Sequence, residues 1–339
     1  MKNNEEETRM NMEIRFADST EGAERLRQID EYTERLSKFD LSSKMQVTHD
    51  VSIQEFLEYV GDQALDWNDE QREKVTHDVQ KLINRKPFRG ITKPDRYFLS
   101  HLPLPDVVTF VLTTGEEESH AAYTRGDAIF LPLAFMNHYH LDGTIAHELF
   151  HIATRFDQDW KTRMYAAIGF FPCQEPVFPD HFRDLMITNP DAPVLNHCIR
   201  IKYQGEIRQA IPVIFSTGKY QGGSFFDYLS LKLCLIDEQV QFENGIELID
   251  ISECKGFFEQ VGLNTKYIIH PEEILADNIK AMIRFGLLYQ SDWSPEITKR
   301  IERVLDGDES SPDYFSISMD SDLPSNLLDR AKRALEIWT

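Results

Sequence analysis

The chain has 339 residues, enough to bury a real core in one large domain or two modest ones. Hydrophobic residues make up 41%, which excludes wholesale disorder. A formal net charge of −21 repels phosphate, so it argues against nucleic acid and anionic membrane as partners.

The start, Met1 to Glu7, is polar and lacks the apolar core of a secretory signal peptide. No apolar run reaches the roughly 18 residues that a membrane-spanning helix needs. The expected location is cytoplasmic, or outside the cell by a route that leaves no cleavable signal. Cys173, Cys198, Cys234 and Cys254 are widely spaced, with no CxxC pair, and read as buried thiols in a reducing compartment.

Residues 1 to about 20 are polar and are expected to fray. From Glu21 to Lys38, Leu26, Ile29, Tyr32 and Leu36 recur at helical spacing. Ser52-Ile53-Gln54-Glu55 has the form of a capping box and opens a helix carrying Phe56, Leu57 and Val60. Asn68 starts another, running through Val75, Val79 and Leu82, before Gly90 and Pro94 break the chain. Asp106 to Thr113 predicts a strand, and Ala122 to Leu133 a second one broken near Gly126-Asp127. Helices follow from about Asp142 to Arg155 and from Asp159 to Ile168. Gly169 to Asn196, rich in proline and aromatics, predicts an ordered loop region. Strand-like runs occupy 198–201, 211–215 and Phe225 to Leu235. Pro271 to Leu288 and Ser294 to Leu305 predict helices, Gly307 to Asp322 a Ser/Asp-rich linker, and Leu327 to Trp338 a last helix. The order gives an α+β class.

The chemistry sits at His147-Glu148-Leu149-Phe150-His151. Four residues of helix turn through about 400°, so the two imidazoles stack on one face and can share a metal ion. Glu148, offset by about 100°, is placed to take a proton from a water and return it to a leaving amine. Ile145, Leu149, Phe150 and Ile152 give the helix an apolar surface to bury. A hydrolytic zinc takes a third protein ligand. One candidate is Asp157, at metzincin spacing but with Thr154 where that pattern has glycine. The other lies in His270-Pro271-Glu272-Glu273-Ile274-Leu275-Ala276-Asp277. There Glu273 can ligate, and Asp277, one turn on, can accept from the free nitrogen of a metal-bound histidine. Glu272 reads as an acid at the positive end of a helix dipole.

These two segments resemble the gluzincin branch of HExxH zinc metallopeptidases, to which thermolysin belongs. The stretches Tyr123 to Phe170 and Asn189 to Asp237 also resemble a group of uncharacterised bacterial HExxH proteins. The gluzincin resemblance implies Zn2+ at His147, His151 and Glu273, with Glu148 as general base and Asp277 behind a ligand. It also implies a zincin-like fold in which the strand at Ala122 to Leu133 is an edge for an extended substrate. His151 and Glu273 stand 122 residues apart, so a long mixed insert separates the two ligand helices. For the oxyanion donor, His197 is placed first because it follows a long, proline-containing loop-like stretch. Tyr203, Tyr228, Tyr267 and His270 are the other candidates.

The expected organisation is a polar and helical extension over 1–45, a metallopeptidase domain over 46–306, and a linker with a packed C-terminal helix over 307–339. The expected function is hydrolysis of peptide bonds in a protein or peptide substrate, in the protein's own cell or as an effector delivered to another. The alternatives are an interaction protein with structural or vestigial zinc, and a zinc hydrolase of small amides. Oligomeric state is not written in the sequence.

Overall fold

The apolar runs at 107–113 and 128–132 are nearly continuous rather than alternating, the pattern of strands covered on both faces. The computed structural model describes residues 12–85, 98–236, 242, 245–285 and 294–307, and it places these two runs side by side in parallel. In chain order the elements are β1 (Glu13–Phe16), α1 (Ser19–Leu26), α2 (Lys38–Lys44), α3 (Ile53–Gly61), β2 (Ala64–Leu65), α4 (Asp69–Ile83), β3 (Val107–Thr113), β4 (Tyr123–Arg125) and β5 (Ala128–Pro132). Then come α5 (Leu141–Phe156), α6 (Gln158–Ala167), β6 (Phe170–Pro172), α7 (Asp180–Arg183), β7 (His197–Tyr203), β8 (Glu206–Ser216), β9 (Leu229–Leu235), β10 (Leu248–Ile249), α8 (Phe257–Val261), α9 (Pro271–Phe285) and α10 (Pro295–Leu305). The class is mixed α+β.

The first sheet runs β1-β3-β5-β4, with β2 also paired to β3. β4 is its antiparallel edge. The span expected as one broken strand is therefore a hairpin. Arg125 pairs with Ala128 across a two-residue turn, and Gly126 takes φ +58 at its first position, as such turns require. β1 pairs in parallel with β3, so residues 13–16 of the expected N-terminal extension supply a strand. The second sheet is antiparallel throughout, in the order β10-β9-β8-β7-β6.

Local signals set several ends. Ser52 with Glu55, and Asn68 with Gln71, form reciprocal capping boxes at α3 and α4. The long helix expected over 21–38 stops at Leu26, and a second helix starts only at Lys38, capped by Ser37 and Asp40. The break has a tertiary cause. Arg125 reaches in to donate to the Leu26 and Gln28 carbonyls and to Asp30, taking acceptors that a continuing helix would use. Residues 225–228, expected as strand, form a short 3-10 turn ahead of β9. The expected linker and last helix lie, apart from Gly307, outside the described residues, as do Gly90 and Pro94. Among the described residues no helix is long and apolar enough to cross a membrane.

One apolar cluster joins both sheets to the helices between them. It includes Val75 of α4, Phe110 of β3, Leu149 of α5, Ile199 of β7, Ile279 of α9 and Ile301 of α10. α5 is the hub, touching α4, α6, α9, β4 and β5. The N-terminal helices are joined to this body by charge as well. Lys44, at the end of α2, and the Tyr32 hydroxyl both donate to Glu118, which follows β3. Only 5% of the Lys44 side chain and 9% of the Glu118 side chain are exposed. Removing one member strands the other charge away from water. Lys44→Met is expected to lower the unfolding free energy by about 3–5 kcal/mol in a urea titration. A loss below about 1 kcal/mol would mean that water compensates the pair.

Candidate metal centre

α5 is anchored by Ile145, Ala146, Leu149, Phe150, Ile152 and Ala153, all buried. That leaves the His147 and His151 face turned to α9, its main helical neighbour. α9 begins at Pro271, whose missing N–H costs nothing in a first turn. Ile274, Leu275, Ala276 and Ile279 bury it, so Glu272 and Glu273 enter the interior at its N-terminus, where the helix dipole favours negative charge. The 122-residue separation is thus closed by helix packing.

Donor atoms of His147, His151 and Glu273 lie within 4.8 Å of one another. Glu273 Oε2 is 3.1 Å from His147 Nε2 and 3.8 Å from His151 Nε2. Ligands about 2.0–2.1 Å from a shared tetrahedral ion stand about 3.3 Å apart, so these spacings suit one cation. Two further observations fit that reading. His151 Nε2 is buried without a hydrogen-bond partner, and so is Glu148 Oε2, in a residue only 3% exposed. Unsatisfied groups of this kind are costly unless something occupies the space between them. The donors are those a zinc ion takes, two imidazoles and a carboxylate.

The candidate ligands are held from behind. His151 Nδ1 lies 3.0 Å from Glu272 Oε1, which also accepts from Thr154 Oγ1 at 2.6 Å. The Tyr165 hydroxyl donates to the other oxygen of Glu272. His147 Nδ1 faces Asp277 Oδ1 at 3.7 Å, beyond hydrogen-bond length, while Asp277 Oδ2 accepts from Thr265 at 2.6 Å. Asn189 Nδ2 donates to Glu273 Oε1 at 2.7 Å, which leaves Oε2 for the imidazoles. The Asn189 side chain also accepts from the Asp191 N–H at 3.0 Å. Asp191 in turn places a carboxylate oxygen within 4.8 Å of donor atoms of Glu148 and His151.

Electrostatics within this cluster are mutual. Burial would lower the His151 pKa, but the charges of Asp191 and Glu273 and the Glu272 hydrogen bond raise it to about 8. Against burial, the charge of His151 and the His147 hydrogen bond bring Glu273 down to about 2. Glu272 falls to about 2 in the same way, chiefly through its His151 hydrogen bond. Glu148 is pushed well above the carboxylate range by burial first and by Asp191 next.

The sequence-based candidates divide. His147, Glu148, His151, Glu273 and Asp277 come together. Asp157 does not join them: its side chain caps α6 by accepting from the Trp160 N–H at 2.8 Å. His197 lies one layer back. Its ring packs on Tyr165 at 4.6 Å, its Nδ1 is 2.7 Å from Asn196 Oδ1, and burial lowers its pKa to about 3. It therefore meets the cluster through Tyr165 and Glu272 rather than at the ligand atoms. His270 Nδ1 accepts from the Glu272 N–H, which fixes the start of α9. The Tyr228 hydroxyl is tied to the turn at Gln221-Gly222. Tyr267 also feels the charges of the centre. Burial, then the charges of Glu273, Asp191, Asp277 and Glu148, raise its pKa well above the usual value, while 37% of the residue stays exposed.

Glu272, Thr154, Tyr165, Asn189 and Asp191 escaped the sequence reading. Asn189 and Asp191 flank Pro190 in a loop-like stretch with no periodic signal. No family model, no curated protein and no solved structure matches this chain.

Replacing Glu272 by Gln is expected to weaken metal binding by about 10–100-fold in a competition titration, since the His151 ring loses its charged anchor. Glu273→Ala should remove most of the bound metal in elemental analysis. Equal metal content in parent and Glu273→Ala would move the third ligand elsewhere.

Proposed function

We propose that this chain is a zinc-dependent peptidase of the zincin type, with His147, His151 and Glu273 holding the ion. The observation that carries the reading is the buried Glu148 carboxylate, unpartnered at Oε2, beside a converging His/His/Glu set. A purely structural site uses its acids as ligands or buries apolar residues instead. When bound, zinc supplies Lewis acidity, which polarises a carbonyl and lowers the pKa of water.

The chain supplies the rest. Glu148 takes a proton from the attacking water and passes it to the departing amine. Burial and the neighbouring Asp191 raise its pKa, which favours keeping the proton it has taken until the amine departs. Glu272, fixed by Thr154 and Tyr165, orients the His151 ring, and Asn189 orients Glu273. Tyr267, whose phenol feels the charges of Glu273, Asp191, Asp277 and Glu148, is assigned as donor to the developing oxyanion in place of His197. The antiparallel edge strand β4, lying against α5, supports the zincin-like assignment.

Glu148→Gln keeps the shape of the side chain and removes its basicity. It is expected to retain about one zinc per chain while peptide hydrolysis falls about 10²–10⁴-fold. Hydrolysis that persists undiminished in this variant would end the assignment of Glu148 as the base, and a parent protein that takes up no zinc would end the peptidase reading.

A further inference from the structure

The outer edge of β4 is closed beside Glu148. Thr124 pairs with Ile129 of β5 along one side. On the other side its N–H donates to Asp191 Oδ1 at 2.8 Å, and its hydroxyl donates to the same oxygen. Its carbonyl accepts from Arg155 Nη2 at 3.1 Å. Both backbone groups that an extended substrate would pair with at this residue are already taken. Arg155 stiffens the closure by also donating to the carbonyls of Pro190 at 3.2 Å and Asp191 at 3.0 Å. A substrate strand can run up to this wall but not along β4 past it.

The wall carries a negative group. The Asp191 side chain is 8% exposed, and both hydrogen bonds it accepts end on Oδ1. Arg155 forms an ion pair with that same oxygen at 3.7 Å, beyond hydrogen-bond length. Glu148, with its buried and unpartnered Oε2, and His151 stand next to it. Two buried carboxylates this close repel each other, and a cation between them relieves the cost.

We propose that the chain is an aminopeptidase-type exopeptidase, in which Asp191 receives the α-ammonium group of a peptide's first residue. The inference rests on the peptidase reading above and adds the substrate class. An α-ammonium lies two bonds, about 2.5 Å, from the carbonyl carbon of its own residue. Carboxylate atoms within 4.8 Å of each other can therefore divide the work, Asp191 on the ammonium and Glu148 on the water. A lysine side-chain ammonium, roughly 6 Å from its Cα, does not fit that spacing. A carboxyl terminus placed at Asp191 would meet a carboxylate of its own sign. Hydrolysis adds water across the first peptide bond: the hydroxyl goes to the carbonyl carbon and a proton to the leaving nitrogen. The products are one free amino acid and a peptide one residue shorter.

The test uses the full chain loaded with zinc and a random hexapeptide pool, half of it N-acetylated, read by mass spectrometry. Free-amine peptides are expected to lose their first residue at least about 100-fold faster than acetylated peptides are cut at all. In Asp191→Asn, with one zinc per chain retained, that ratio should fall below about 10. A second readout needs no turnover. Glu148→Gln should retain the free-amine pool over the acetylated pool in equilibrium dialysis, and Glu148→Gln combined with Asp191→Asn should retain neither preferentially. Equal cleavage of the two pools, or cuts at internal bonds, would overturn the exopeptidase assignment and leave the peptidase reading standing. No cleavage and no retention of either pool would overturn both.

Discussion

The structure turns on the contact between α5 and α9, where two imidazoles from one helix meet two carboxylates from the other in the interior. His151, Glu272 and Glu273 are nearly inaccessible to water, and Glu148 is scarcely less buried. Ion groups in such a place cost several kcal/mol each unless neighbours compensate them. Compensation here is reciprocal: the carboxylates raise His151, and the histidines lower Glu272 and Glu273. The apolar flanks of both helices drive them together, and the polar stripe is carried inward with them. The folding energy of the core thus holds a cluster that would not assemble in water.

A chain of polar contacts extends this centre into the N-terminal third. Asp40 caps α2 through Ser37 and also accepts from the Thr188 N–H, while the Thr188 hydroxyl donates to the Arg35 carbonyl. The next residue, Asn189, grips Glu273, and Asp191 faces Glu148. The segment 188–191 has no regular secondary structure of its own. Its position comes from α2 on one side and from Thr124 and Arg155 on the other. The N-terminal helices therefore act on the centre through a loop, and their charge pair between Lys44 and Glu118 serves the same end by fixing α2 against the first sheet.

The two sheets have different tasks. The first presents β4 as an edge next to α5, and that edge is already engaged at Thr124. The second fills the long insert between the ligand helices. It backs the centre with His197 of β7, whose ring lies against Tyr165, and Tyr165 secures Glu272. The insert is a supporting layer that lets α9 return to α5 after a long excursion.

The sequence by itself determined the elements whose signals are local. The HExxH helix, the capped starts of α3 and α4, the run at 107–113 and the proline-led α9 follow from periodicity, caps and β-branched runs, which act over a few residues. The same locality made His147, Glu148 and His151 legible, and Glu273 and Asp277 after them, because helical spacing alone puts each set on one face. Tertiary structure decided what depends on distant partners. Arg125 ends α1, the turn at Gly126 makes a hairpin of one expected strand, and Asp157 is spent on a helix cap. Glu272 rather than Asp277 makes the close contact to a histidine of the HExxH helix, and His197 lies behind Tyr165. Asn189 and Asp191 gain their roles only where a loop without periodicity is pinned between α2 and β4. Such placements depend on burial and charge summed across the whole fold, and no short window of sequence contains that sum.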